Sequence, residues 1–171
     1  MLLEEVHALV YVPAVPVLRQ LCFQVVHEVA LALVVFQRSL LGFGIRDVAL
    51  IRPCVDVFDP RVVRASMGSL FSLRIKVYGD FDAYLAEHPG RMLYPFMLDG
   101  SRSLPDVLAE PVPDAWTLVF GNEGSGLPPE FARMGQPVRI PSNEKIDSLN
   151  LSIAAAIGIY GFTQAFAKGK A

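Results

Sequence analysis

The sequence predicts an α/β domain with a mainly parallel sheet flanked by helices. Short apolar runs rich in β-branched and aromatic residues recur along the chain, and segments of helical character separate them. No internal repeat or low-complexity segment interrupts the 171 residues, a length that suits one domain spanning 1–171.

The elements follow in order. The run VALALVVF (29–36) lies between polar His27-Glu28 and Gln37-Arg38, and predicts a buried helix over 29–43. DVALI (47–51) and RIKVY (74–78) read as strands, and 80–87 as a helix. MLYPFML (92–98) reads as a strand whose Pro95 places it at an edge or a bulge, because proline has no N–H for a second neighbour. WTLVF (116–120) and PVRI (137–140) complete the strands. Proline-rich stretches at 12–17, 111–115 and 126–131 mark loops or helix starts. The last helix, 148–168, has Asp147 or Ser148 as its cap and ends at Lys168-Gly169. It is apolar almost all round, so burial against both its own sheet and a second subunit is expected, which makes the protein a homodimer.

Composition removes several function classes. The apolar fraction is 53%, yet the longest apolar run is eight residues, far short of the roughly 18 a membrane helix requires. The N-terminus MLLEEVHALV carries two glutamates where a secretory leader would be basic, so a cytoplasmic protein is expected. Cys22, Cys54 and the three histidines show no ligand spacing, and no metal is expected. A net charge of −2 gives no general attraction to nucleic acid, which leaves a local patch of Arg61, Arg64, Arg74 and Lys76.

The stretch VFGNEGSGL (119–127) puts three glycines behind a strand. A phosphate cradle is the first reading of such a turn. Here the spacing is G-x-x-G-x-G, no P-loop lysine is present, Glu123 adds a negative charge, and LPPEF delays the next helix. A neutral or cationic ligand suits the loop better, and a tight irregular turn without a ligand is the plain alternative.

Twenty residues on, IPSNEKIDSLNLSIAAAIGIYGF (140–162) ends a strand, crosses a polar loop and opens a helix. Singly, Ser148 is a helix cap, Asn150 a first-turn polar residue and Ala154-Ala155-Ala156 a site of close packing. Together with FGNEGSGL, the pair resembles the second and third motifs of the SpoU (TrmH-like) branch of the SPOUT superfamily of RNA methyltransferases. DPRVVRASMGSLF (59–71) resembles the family segment after the second strand, and the likeness covers roughly 38–165.

The resemblance implies a C-terminal trefoil knot, S-adenosylmethionine as cofactor, a homodimeric active site, and methyl transfer to a ribose 2′-hydroxyl of tRNA or rRNA. By position it implies cofactor contacts from Gly121, Ile140 and Leu149, with Leu98, Asn122, Gly126 and Ser148 beside them. It also implies a catalytic set of Arg38, Glu123, Ser148 and Asn150, and RNA contacts from Arg61 and Arg64.

The family's first motif, N-x-G-x-x-x-R, is present only as Arg38: Ala32 and Val34 stand where Asn and Gly belong, and 1–37 is atypical. A non-catalytic relative that binds the cofactor or RNA therefore stays open beside the enzyme. A nucleotide-binding oxidoreductase is a third reading, and binding of NAD against S-adenosylmethionine separates it. Keeping an arginine neutral at pH 7 costs about 7 to 9 kcal/mol, so Arg38 suits stabilising an alkoxide or clamping a phosphate better than acting as a base.

Overall fold

A five-stranded, all-parallel sheet organises the chain. The computed structural model describes residues 6–11, 38–52, 54, 56–122, 124–143, 145–146 and 148–169. The main sheet contains β1 (Val6–Tyr11), β2 (Asp47–Ile51), β3 (Arg74–Tyr78), β4 (Met92–Pro95) and β6 (Trp116–Phe120), in the spatial order β3-β2-β1-β6-β4. A second, two-stranded parallel sheet joins β5 (Arg102–Ser103) to β7 (Val138–Arg139). The helices are α1 (Pro60–Ala65), α2 (Phe81–Glu87), α3 (Leu104–Leu108) and α4 (Leu151–Gly169), with residues 38–42 also helical.

The strands at 47–51, 74–78, 92–95, 116–120 and 138–139 all form where the sequence predicts them. Pro95 does lie in an edge strand, paired with β6 alone within the main sheet. Two strands are missing from the sequence-based expectation, the two-residue β5 and β1, and β1 occupies the centre, pairing with β2 on one side and β6 on the other. VHALVY, apolar but for His7, shows no sustained alternation, as befits a central parallel strand, and gives periodicity little to detect. The expected helix over 29–43 falls partly outside the described residues; its end, 38–42, is helical and buries Leu40. The short helices α1 and α3 were also not anticipated. Each starts at an oxygen cap with proline in its first turn: Asp59 accepts from Arg61 N at 2.8 Å, and Ser103 from Asp106 N at 3.3 Å.

Every residue of β6 is buried, because helices cover both faces of the sheet. Trp116, Leu118 and Phe120 share one core with Ala155, Ile159 and Phe162 of α4. Val119 joins the opposite core, with Phe81 and Tyr84 of α2 and with Phe131. The buried Thr117 hydroxyl meets Tyr84 Oη at 2.8 Å, which satisfies both polar groups inside that layer.

The segment β7 has neighbours on two sides. Val138, fully buried, accepts from Met97 N at 3.0 Å and bridges to Phe96, while Arg102 N donates to Pro137 O at 3.4 Å. The chain at 137–139 therefore runs between the two arms of the 96–103 crook. Gly100 sits in that crook, where a Cβ would come within 2.6 Å of the Val138 carbonyl carbon, so the close approach of backbones requires glycine. Gly158 of α4 lies against the Phe96 ring in the same way, 2.6 Å from where its own Cβ would stand. That contact fixes the last helix against the crook.

Candidate functional site

In a parallel sheet the loops that leave the carboxyl ends of the strands gather at one edge, where ligands bind in open α/β folds. Here those loops are the residues after β2, the crook after β4, the glycine loop after β6 and the segment 140–150 after β7.

The glycine loop is closed by its own backbone. Asn122 and Gly126 exchange hydrogen bonds, N to O at 3.2 Å and 2.8 Å. The Asn122 side chain accepts from Gly124 N at 2.7 Å and Ser125 N at 3.4 Å. Gly126 has φ +66°, in the left-handed region. A Cβ on Gly121 would overlap the Gly126 carbonyl group and Leu127 N, so only glycine lets the two ends of the loop meet. The amides of Gly124, Ser125 and Gly126 thus point inward at Asn122. A phosphate cradle needs such amides directed at the anion, and this loop has already used them.

A second loop at this edge comes from β7 and the segment after it. Ile140 is half-buried, Pro141, Ser142 and Asn143 are exposed, and Asn143 holds the turn by accepting from Lys145 N at 2.9 Å. Leu149 is half-buried and Ser148 exposed at the approach to α4. The cap of α4 is Asn150: its side-chain oxygen accepts from Ser152 N at 3.0 Å and Ile153 N at 3.4 Å. That corrects the expectation that Ser148 or Asp147 caps this helix. Ser148 lies too early to reach the first free amides, and Asp147 lies outside the described residues. Leu98 projects from the crook, exposed.

The structure thus gathers Leu98, Gly121, Asn122, Gly126, Ile140, Ser148, Leu149 and Asn150 on loops of one sheet edge. Glu123 falls outside the described residues. Arg38 stands exposed at the start of the helical residues 38–42, and no side-chain hydrogen bond or ion pair joins it to another described residue. That short helix docks onto α4 through Phe43, whose ring lies 5.4 Å from Tyr160.

Of the predicted basic patch, Arg61 and Arg64 lie on α1. Arg61 grips Asp59 through Nε at 3.0 Å and Nη2 at 2.9 Å, and this bond holds the Asp59 carboxyl down to about 2. Arg74 and Lys76 belong elsewhere: on β3 they pair with Asp47 and Glu87. Among the described residues no group of His, Cys, Asp and Glu could hold a metal, and no helix is long and apolar enough to cross a membrane.

The model of the SpoU rRNA methylase family matches residues 35–160. This chain belongs to that family. Over 107 residues the 23S rRNA (adenosine(1067)-2′-O)-methyltransferase of Streptomyces laurentii is 36% identical, a match covering 61% of this SpoU chain and 38% of that protein. The ribosomal RNA small subunit methyltransferase G 2 of Syntrophobacter fumaroxidans is 29% identical over 133 residues, 78% of this chain and 25% of its own. The chain therefore spans only about a quarter to two fifths of these curated relatives. Among solved structures, an AdoMet-bound rRNA methyltransferase from Sinorhizobium meliloti superposes with a TM-score of 0.75 at 25% identity, over 94% of this chain and 56% of that one. A structure concerned with 2-OH methylation of C/U34 on tRNA shares the fold end to end, with a TM-score of 0.74, 23% identity and coverage of 96% and 97%. The SpoU family match accounts for the two loop motifs and begins just before Arg38, leaving most of the atypical segment outside it.

Proposed function

We propose that this SpoU chain transfers a methyl group from S-adenosylmethionine to a ribose 2′-hydroxyl of tRNA or rRNA. The observation that carries the proposal is the pairing of the self-closed glycine loop with the 140–150 wall at one sheet edge. With its amides turned inward and no basic side chain in it, the loop fits a neutral nucleoside and a cationic sulfonium better than a phosphate. The apolar surfaces of Leu98, Ile140 and Leu149 fit the adenosine, and Gly121, Asn122, Gly126 and Ser148 shape the backbone around it.

When bound, the cofactor supplies the electrophilic methyl group. The chain contributes position and charge. Arg38 stabilises the ribose oxygen as it loses its proton to solvent, or holds the adjoining phosphate, and Ser148 and Asn150 join it with Glu123 as the resemblance implies. Arg61 and Arg64 take phosphates of the RNA, a role suited to a net-acidic protein that needs a local cationic site.

Two further readings belong to this proposal. The passage of 137–139 between the arms of the 96–103 crook supports a trefoil knot, a rare exception to unknotted chains. The exposed Ile153, Ile157 and Tyr160 succeed one another at helical spacing along the outer face of α4, which supports a homodimer closed over that helix. The protein is placed in the cytoplasm with its RNA substrates.

A specific feature favours a second reading. Ala32 and Val34 replace the polar and flexible members of the first motif, which fits a relative that binds the cofactor and does not transfer its methyl group. Labelled methyl transfer to total RNA, with nuclease mapping, is the test. Incorporation at a ribose supports the enzyme; calorimetric binding of S-adenosylmethionine without incorporation supports the second reading; no binding at millimolar ligand overturns both.

A further inference from the structure

The most exposed large apolar side chains among the described residues are Met67 at 78%, Phe71 at 73% and Phe58 at 69%. All three lie in one stretch of fourteen residues, and two arginines stand between them. Val62, Ser66 and Leu70 are buried, whereas Phe58 before α1, Arg61 and Arg64 on it, Met67 after it and Phe71 in the following 3₁₀ turn, Ser69–Ser72, are all exposed. In chain order these exposed side chains read ring, guanidinium, guanidinium, thioether, ring.

The segment is held firmly in this form. Ser66 Oγ donates to Val63 O at 2.7 Å, Ser69 Oγ donates to Ser66 O at 2.8 Å, and Ser66 N donates to Val62 O at 2.9 Å. Met67 has φ +49°, the one non-glycine residue with positive φ among those described. A side chain in that region costs of order 1 kcal/mol or more, and the cost is borne here while Met67 faces outward and gains no burial. Folding alone gives no reason for these exposed rings.

We infer that Phe58, Met67 and Phe71 form a stacking platform for unpaired bases of the RNA, with Arg61 and Arg64 holding the phosphates between them. The inference rests on the methyltransferase reading for the identity of the ligand as RNA. Rings stack only on bases whose faces are free, so the platform selects loops or single strands and leaves paired stems unread. Charge fits the occupant. No carboxylate among the described residues pairs with Arg64, whose Nε donates to Pro60 O at 3.1 Å, and the Arg61–Asp59 pair is an exposed one that a phosphate can displace. The segment leaves the carboxyl end of β2, the edge shared with the glycine loop, at its Phe58 side and runs back toward the start of β3 at Phe71. A second copy of the chain has a different surface available, the stripe on α4.

The test is affinity of the full chain for a labelled ten-nucleotide single strand and for the corresponding duplex, measured across a salt series. Phe58→Ala with Phe71→Ala should weaken single-strand binding about 10- to 100-fold and leave duplex binding and the salt slope unchanged. Phe58→Tyr with Phe71→Tyr should retain binding. Arg61→Ala with Arg64→Ala should flatten the salt slope for both ligands. Equal loss on both ligands, no loss on either, or no RNA binding by the unmutated chain overturns the platform. A change from dimer to monomer by light scattering in the alanine variant also overturns it, because the rings would then belong to a subunit contact. Methyl transfer that proceeds with unchanged KM in the alanine variant defeats the platform and spares the enzyme. Ring-dependent binding without any transfer does the reverse.

Discussion

Two ends of the sheet handle charge in opposite ways. Where β2 and β3 begin, a hollow of about 300 Å³ is lined by Asp47, Arg74, Lys76, Tyr78, Glu87 and His88. Each charge there has a close partner: Arg74 reaches Asp47 at 2.6 and 2.7 Å, and Lys76 reaches Glu87 at 2.5 and 2.6 Å. Tyr78 Oη bonds Glu87 at 3.2 Å and His88 Nε2 at 3.0 Å; burial, then Glu87, push its hydroxyl up to about 12. At the other end the glycine loop carries no basic residue, its amides are turned inward, and the 140–150 segment adds half-buried Ile140 and Leu149 among exposed polar residues. The hollow looks chemically richer and is the poorer candidate. Charges already matched to one another hold α2 to the edge strand and offer a ligand little, whereas a loop with no basic residue and its amides already used suits a nucleoside with a sulfonium better than a phosphate.

Arg38 breaks this comparison most sharply, because the proposed function puts a charge at that end whose side chain has no ion-pair partner among the described residues. Arg38→Ala should lower methyl transfer about 100- to 1,000-fold and leave cofactor affinity and stability nearly unchanged. Arg74→Ala, at the paired end, should alter stability slightly and transfer not at all. Single-turnover rates and calorimetry on both variants check this, and normal transfer by Arg38→Ala would remove it from the site.

Gly121 tests whether shape governs the functional end. An alanine there overlaps the Gly126 carbonyl group, so the loop must open, and cofactor affinity should fall about 100-fold. Gly124→Ala is the matched control, since its Cβ would come no nearer than 3.4 Å to Asn122 Oδ1. Similar affinities for the two variants by calorimetry would show that the loop tolerates rearrangement and that its closed form is incidental.

The same contrast explains what the sequence made legible. Strands β2, β3, β4, β6 and β7 announced themselves because each is a short β-rich run between turn residues. Strand β1 did not: a central strand paired on both sides carries no polar-apolar alternation in its sequence to give it a period. The loop residues of the site were readable because glycine spacing and the SLN helix start survive as local patterns. The exposure of Phe58 and Phe71 was not, since an aromatic residue in an apolar stretch ordinarily faces the core. The cap at Asn150 was missed by two residues, an error common to helix ends, where Ser148, Asp147 and Asn150 are equally suitable by type and only geometry chooses.

Asn150 now carries two assignments that can be separated. As the cap of α4 it should cost about 1 kcal/mol when changed to alanine and much less when changed to serine, which caps comparably. Asn150→Ser with wild-type stability and depressed turnover would add a role at the functional end; intact turnover would leave it a structural residue. Urea midpoints and transfer rates on the two variants decide.

The smallest effect expected lies in the hollow and depends on pH. Burial, with Arg91 adding to it, holds the His88 pKa below the ordinary 6.5, so the folded chain binds fewer protons there than the unfolded one. Its contribution to stability is therefore complete above about pH 6.5 and is lost as pH falls below that value towards the folded pKa. Glu87, held below 4.5 chiefly by its hydrogen bond from Lys76, acts in the same direction at more acid pH, so the two windows lie one after the other. His88→Gln removes the first window and keeps an amide beside Tyr78. Between about pH 7.5 and 5.5 the urea midpoint of the wild-type chain should fall slightly further than that of the variant. Equal falls would mean that His88 takes up its proton without disturbing the Tyr78–Glu87 contact, and that the charges of the hollow are less tightly matched than their distances imply.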